Sequence, residues 1–138
     1  MKETFVDTNI FMRLFDSSDP KQTDRAKKIF EQAAAGKARL IVGPPVLFEL
    51  SWVLKSAMNR SNQEILDVLE AIVAWRGMKI LDKEYVQRAI ALAKATKQGF
   101  ADSYIAVTAQ DQNLEVATFN QKHFSKLGVE LRQFDAEK

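Results

Sequence analysis

The sequence has no cysteine, three prolines, five glycines and a single histidine. Without thiols there is no disulfide framework, no thiolate metal site and no cysteine nucleophile. The small Gly and Pro content excludes collagen-like and low-complexity classes, and 46% hydrophobic residues argue against intrinsic disorder. No apolar run approaches the roughly 20 residues that span a bilayer, so no membrane association is expected. The first residues, MKETFVDTN, lack the basic region and apolar stretch of a secretion signal. An excess of either charge is missing too: 20 Lys and Arg against 18 Asp and Glu leave a formal +2. The cations are spread from Arg13 to Arg132 rather than clustered in the footprint of a dedicated nucleic-acid binder. The expectation is a cytoplasmic protein that is free to accept an anionic substrate.

What is present is enough for one core, since a chain of 138 residues buries roughly 70% of its unfolded surface. Short β-rich runs alternate with helical stretches. Thr4–Asp7, Arg39–Val42, Lys79–Leu81, Glu115–Phe119 and Val129–Leu131 read as short, mostly buried strands. Asp19-Pro20 supplies an N-cap and a first-turn proline, with Gly36 as the stop. Pro45 opens a second helix, Ser61-x-x-Glu64 has capping-box spacing, and Asp82 caps a helix that should end near Gly99. Strands separated by helices need crossover connections, which favour an α/β fold with a central parallel sheet. Ligands of such sheets bind outside the carboxyl ends of the strands. No repeat or linker divides the chain, so residues 1–134 are expected as one domain and 135–138 as a polar tail.

Acidic residues occupy suggestive positions. Asp7 ends the first strand and precedes Thr8, Asn9 and an apolar run, where it reads equally as an N-cap or as a ligand. At 100° per residue Glu49 falls at the edge of an apolar stripe beside Val46 and Val53, so its carboxylate must reach solvent, pair, or bind a cation. Asp102 sits among Phe100, Tyr104, Ile105, Ala106 and Val107, on a helix that reads as buried nearly all round. An ionised Asp there gains from the helix dipole but still needs a positive partner, and metal ligation is favoured over a buried cap or ion pair. Asn120, after the fourth strand, reads as a turn residue or as a neutral oxygen donor at the same sheet edge. Three separated carboxylates suit Mg²⁺ or Mn²⁺, and the chemistry implied is phosphodiester hydrolysis by an activated water.

Four segments in this order, Phe5-Val6-Asp7-Thr8-Asn9, Glu49 within Val46–Leu54, Gly99–Ala106, and Ala117-Thr118-Phe119-Asn120 with His123-Phe124, make the chain resemble a PIN-domain ribonuclease. More narrowly it looks like the VapC-type toxins of toxin–antitoxin pairs. The resemblance implies an α/β/α sandwich and an acidic metal site of Asp7, Glu49 and Asp102 holding Mg²⁺ or Mn²⁺. Thr8, Asn9 and Thr118 would support that site. Asn120 stands where the family commonly has a fourth acid. The resemblance further implies cleavage of RNA, a homodimer, and inhibition by a small VapB-like antitoxin. No histidine is required for this chemistry, and His123 reads as a partly buried surface or turn residue beside Phe124 rather than as a general acid or base. Arg13 reads as a surface ion-pair member at least as well as a phosphate contact.

The alternatives are a stand-alone RNA-processing nuclease and a non-catalytic scaffold that binds RNA or protein. A phosphohydrolase with Asp7 as nucleophile is disfavoured because position 9 is Asn, where that chemistry wants an acid. A phosphoacceptor receiver domain is disfavoured because no acidic pair accompanies Asp7.

Overall fold

The structure, a computed structural model, describes residues 3–134. The expected polar tail, 135–138, lies outside the described residues. The element order is β1 (Glu3–Phe5), α1 (Thr8–Met12), α2 (Pro20–Ala34), β2 (Arg39–Val42), α3 (Pro44–Ser56), α4 (Asn62–Val73), β3 (Met78–Ile80), α5 (Lys83–Thr96), α6 (Phe100–Asp111) and α7 (Gln121–Lys126). The fold class is α/β with a parallel sheet, as expected. The chain forms two compact units, Met1–Lys83 and Glu84–Lys138.

The first unit is built on the sheet, in the order β1-β2-β3 with both pairings parallel. Thr4 pairs with Leu40 and Leu40 with Met78. Central β2 buries Leu40 and Val42, whereas all three residues of edge strand β1 are exposed. The expected burial of the first strand is therefore corrected: only Val6, just past its end, is buried, and its N–H continues the ladder to the Ile41 carbonyl at 2.8 Å. Helix α2 opens as the sequence suggests, with Asp19 accepting from the Gln22 N–H, Pro20 at the first position, and Gly36 at φ +79° beyond its end. Helix α3 begins one residue earlier than expected. Pro44 and Pro45 both lie in its first turn, where neither missing N–H has an intrahelical acceptor. The Ser61/Glu64 capping box is complete in both directions.

Phe11 and Phe30 pack at 5.3 Å between centroids, and Trp75 meets Phe30 edge-on while its indole N–H donates to the Phe30 carbonyl at 3.0 Å. Gly77 makes the turn into β3 possible. Its φ is +86°, and a Cβ there would lie 2.4 Å from the Ala33 carbonyl oxygen. Asp82 does not take the extended conformation of an N-cap; it adopts a left-handed φ of +52° at the turn before α5.

In the second unit, Ala106, Ala109, Val116, Phe124, Leu127 and Val129 form a small apolar core. The fourth and fifth expected strands reduce to one parallel bridge between Val116 and Leu131. The run Glu115–Phe119 is too short of paired neighbours to continue: Val116 exchanges two backbone bonds of 2.8 Å with Glu130 and Arg132, and beyond it Thr118 turns the chain. Phe119 is consequently 94% exposed rather than buried in a strand. Helix α5 ends at Thr96, three residues before Gly99, and Gly99 instead occupies the N-cap position of α6. Helix α6 is not buried all round either. Phe100, Ser103, Ala106 and Val107 face inward, while Ala101 and Ile105 are exposed.

No helix among the described residues is long and apolar enough to cross a membrane.

Candidate functional site

The carboxyl ends of the parallel strands set the position of the first acid. Val6 completes the β1 ladder, and Asp7 then occupies the N-cap position of α1 with φ −81° and ψ 160°. That backbone is what a capping Asp adopts, yet its side chain makes no capping bond to the helix. Its carboxylate instead lies 3.5 Å from Asn9 Nδ2. Asp7 is exposed, while Thr8 beside it is 3% exposed and fixes the start of the helix in the core. Helix α1 packs against α3, the helix that carries Glu49.

Glu49 faces solvent, flanked on α3 by buried Val46, Leu47 and Leu50. It makes no side-chain hydrogen bond or ion pair among the described residues, and the same holds for Asp102. Trp52, one turn beyond Glu49 on α3, is 68% exposed, while Phe15 is half-buried.

Asp102 is half-buried, not enclosed, which corrects the expectation of a buried acid. It occupies the first turn of α6, where the free backbone N–H groups favour a negative charge. The next residue, Ser103, is fully buried and donates to the Gly99 carbonyl at 2.8 Å, which holds this turn. Ser103 was not identifiable as a support from sequence, because a small polar residue in a helix has no pattern of its own.

The last motif is brought together locally. Asn120 holds the N-cap position of α7, again without a side-chain capping bond. Its backbone N–H donates to Thr118 Oγ1 at 2.9 Å, and its side-chain Nδ2 lies 2.9 Å from His123 Nδ1. With the amide nitrogen donating, the imidazole nitrogen accepts and its proton sits on Nε2, which leaves Asn120 Oδ1 turned away from the pair. His123 is exposed, not partly buried as expected. Arg13 forms an ordinary surface pair with Asp16 at 3.8 Å. Asp16 itself is held below the usual carboxylate range, chiefly by the Ser18 backbone N–H.

The donor chemistry fits a hard divalent cation. Asp7, Glu49 and Asp102 are oxygen donors at least partly open to solvent, and none is neutralised by a Lys or Arg among the described residues. The structure does not draw three of its acids or its histidine into one ready cluster among the described residues. Sequence reasoning also missed an aromatic pair: Phe119, next to Asn120, stacks on Phe134 with centroids 5.1 Å apart and planes at 18°. In the first unit, an apolar pocket of about 380 Å³ is lined by Phe11, Phe15, Phe30, Val68, Ile72 and Trp75, among others.

The family model described as PIN domain matches residues 4–130. No curated protein matches the chain. Solved structures do, among them "Structure of FitAB bound to IR36 DNA fragment", at 15% identity and a TM-score of 0.37 over 99% of this chain and 100% of that one.

Proposed function

The chain belongs to the PIN domain family, and on that premise we propose that it is a metal-dependent endoribonuclease, the VapC-type toxin of a toxin–antitoxin pair. PIN domains are generally metal-dependent nucleases. The observation that carries the reading to this chain is Asp7: a carboxylate at the N-cap position after an edge strand, exposed and unused by the helix it precedes. An acid in that place without a capping bond is available to a ligand.

In this reading Asp7, Glu49 and Asp102 hold Mg²⁺ or Mn²⁺, and Asn120 completes the site. A bound divalent cation supplies a more acidic water and offsets charge on the phosphate during reaction. The residues of the chain do the rest. Asn9 steadies the Asp7 carboxylate, and the first turn of α6, pinned by Ser103, offers Asp102 with the helix dipole behind it. Glu49, besides helping to hold the cation, would orient the attacking water and accept its proton. Asn120, held by Thr118 and His123, presents an amide oxygen as acceptor to a water. Water adds to phosphorus and the 3′-oxygen departs with a proton, leaving 5′-phosphate and 3′-hydroxyl ends. No step asks for the histidine.

A small VapB-like antitoxin and a homodimer belong to the same proposal. The apolar pocket of the first unit supports a protein partner that inserts apolar side chains. The second reading, a non-catalytic RNA- or protein-binding scaffold, is favoured by Asn120 in place of an acid and by the lack of a ready three-acid cluster among the described residues. A stand-alone RNA-processing nuclease differs only in having no antitoxin.

One experiment separates them. Purified protein is given a loop-containing RNA with Mg²⁺ or Mn²⁺, then with chelator. Cleavage that stops with chelator and is lost in Asp7→Asn and Asp102→Asn supports the nuclease; equal cutting by both variants rejects the mechanism, and no cutting at all leaves the scaffold. Growth arrest on expression, relieved by a neighbouring small gene, distinguishes toxin from processing enzyme.

A further inference from the structure

We propose that Phe119 and Phe134 form a stacking platform for an unpaired base of single-stranded RNA; the inference rests on the nuclease reading and names how the substrate is gripped. A phenyl ring that is 94% exposed contributes almost nothing to the folded core. Its stacking on Phe134, itself 50% exposed, orders a flat π-surface at the protein boundary. A third planar ring is the natural extension of such a pair, and every nucleobase offers a π-face.

Two further observations favour a nucleobase over an apolar protein side chain. Phe119 directly precedes Asn120, so the platform adjoins a residue of the proposed reaction site. The segment 119–134 carries Lys122, Lys126 and Arg132 against Glu130 alone among its acids. Arg132 is engaged by Glu115 at 3.0 Å, while Lys122 and Lys126 are exposed and form no ion pair among the described residues. An aromatic platform flanked by uncommitted cations matches a strand that alternates bases and phosphates.

The test uses the full chain and a fluorescein-labelled single-stranded oligoadenylate, with binding followed by anisotropy in the presence of chelator and cleavage followed separately with Mn²⁺. Phe119→Ala and Phe119→Leu should both weaken binding, roughly five- to a hundredfold. Phe119→Trp should bind at least as well as the parent. Leucine keeps the apolar surface but not the π-face, so normal binding by Phe119→Leu overturns the stacking role and points to an apolar partner. A parent that cuts RNA while both variants keep its KM and cleavage sites rejects the platform and leaves the nuclease standing. A parent that binds through Phe119 but never cuts rejects the nuclease and leaves the platform. A parent that neither binds nor cuts RNA overturns both. Circular dichroism of each variant should match the parent, because the ring is outside the core.

Discussion

The carboxylate of Asp7 reaches the side-chain amide of Asn9, 3.5 Å away, and not the backbone N–H groups of the helix whose N-cap position it holds. A capping Asp contributes about 1 kcal/mol, and that contribution is missing here. Function and stability are therefore separable at this residue. On the proposed reading Asp7→Asn should lower RNA cleavage on the order of a hundredfold or more, because it weakens the hold on the cation that offsets charge on the phosphate. The variant's unfolding free energy from urea titration should change by no more than about 0.5 kcal/mol, the range of surface substitutions. A large loss of stability would mean that Asp7 is structural, and unchanged cleavage would remove it from the site.

Gly77 is required for steric reasons that can be measured against Gly36. Both have positive φ, +86° and +79°, but a Cβ on Gly36 meets open space, whereas on Gly77 it would overlap the backbone carbonyl of Ala33. Helix backbone cannot move aside as a side chain can. Gly36→Ala should cost about 1 kcal/mol from conformation alone, and Gly77→Ala about 2–4 kcal/mol. Equal costs in urea titrations would show that α2 and the turn into β3 are less tightly apposed than their backbones indicate.

The capping box gives a pH dependence of known sign. The Ser61 backbone N–H, with smaller help from its side chain and Arg60, holds the Glu64 carboxyl below its ordinary value of 4.5. A depressed folded-state pKa means that the stabilisation is complete above the ordinary value and is lost as pH falls through the lowered one. Glu64→Gln should therefore melt below the parent at neutral pH, and the gap should narrow progressively below about pH 4.5. A gap that widens in acid would contradict the assignment. Ser61→Ala, which removes the acceptor for the Glu64 N–H, should cost about 1 kcal/mol.

What could be read from sequence was what depends on neighbours in the chain. Asp19-Pro20, Ser61-x-x-Glu64 and the alternation of strands and helices are local signals, and the caps and the parallel sheet follow them. Glu115–Phe119 has strand composition but depends on a distant partner, and only Val116 finds one. The side of α6 that carries Asp102 and Ile105 has no run of polar residues to mark it as open, so counting turns misplaced the acid in the interior. For the site, the position of Asp7 at a strand end was legible. That its side chain would decline to cap was not, since capping and non-capping Asp share one sequence. The Phe119–Phe134 stack joins residues fifteen apart through a turn with no signature.

Asn120 offers the most informative gain-of-function change. Its Nδ2 donates to His123 Nδ1 at 2.9 Å, whereas an Asp in its place can only accept, so the imidazole must turn its proton to Nδ1 or take up a second one. The backbone bond from residue 120 to Thr118 Oγ1 is unaffected, and the turn should hold. In the proposed metal site Asn120→Asp adds a fourth carboxylate. Cation affinity rises with the number of charged ligands, so the Mn²⁺ concentration that half-saturates the thermal shift should fall on the order of tenfold. His123→Ala is the control: it frees the Asn120 amide without adding charge and should leave the Mn²⁺ midpoint where it is. If both variants shift the midpoint alike, the cause is a rearranged turn. If neither does, Asn120 lies outside the cation's reach, and its amide serves the fold of α7 alone.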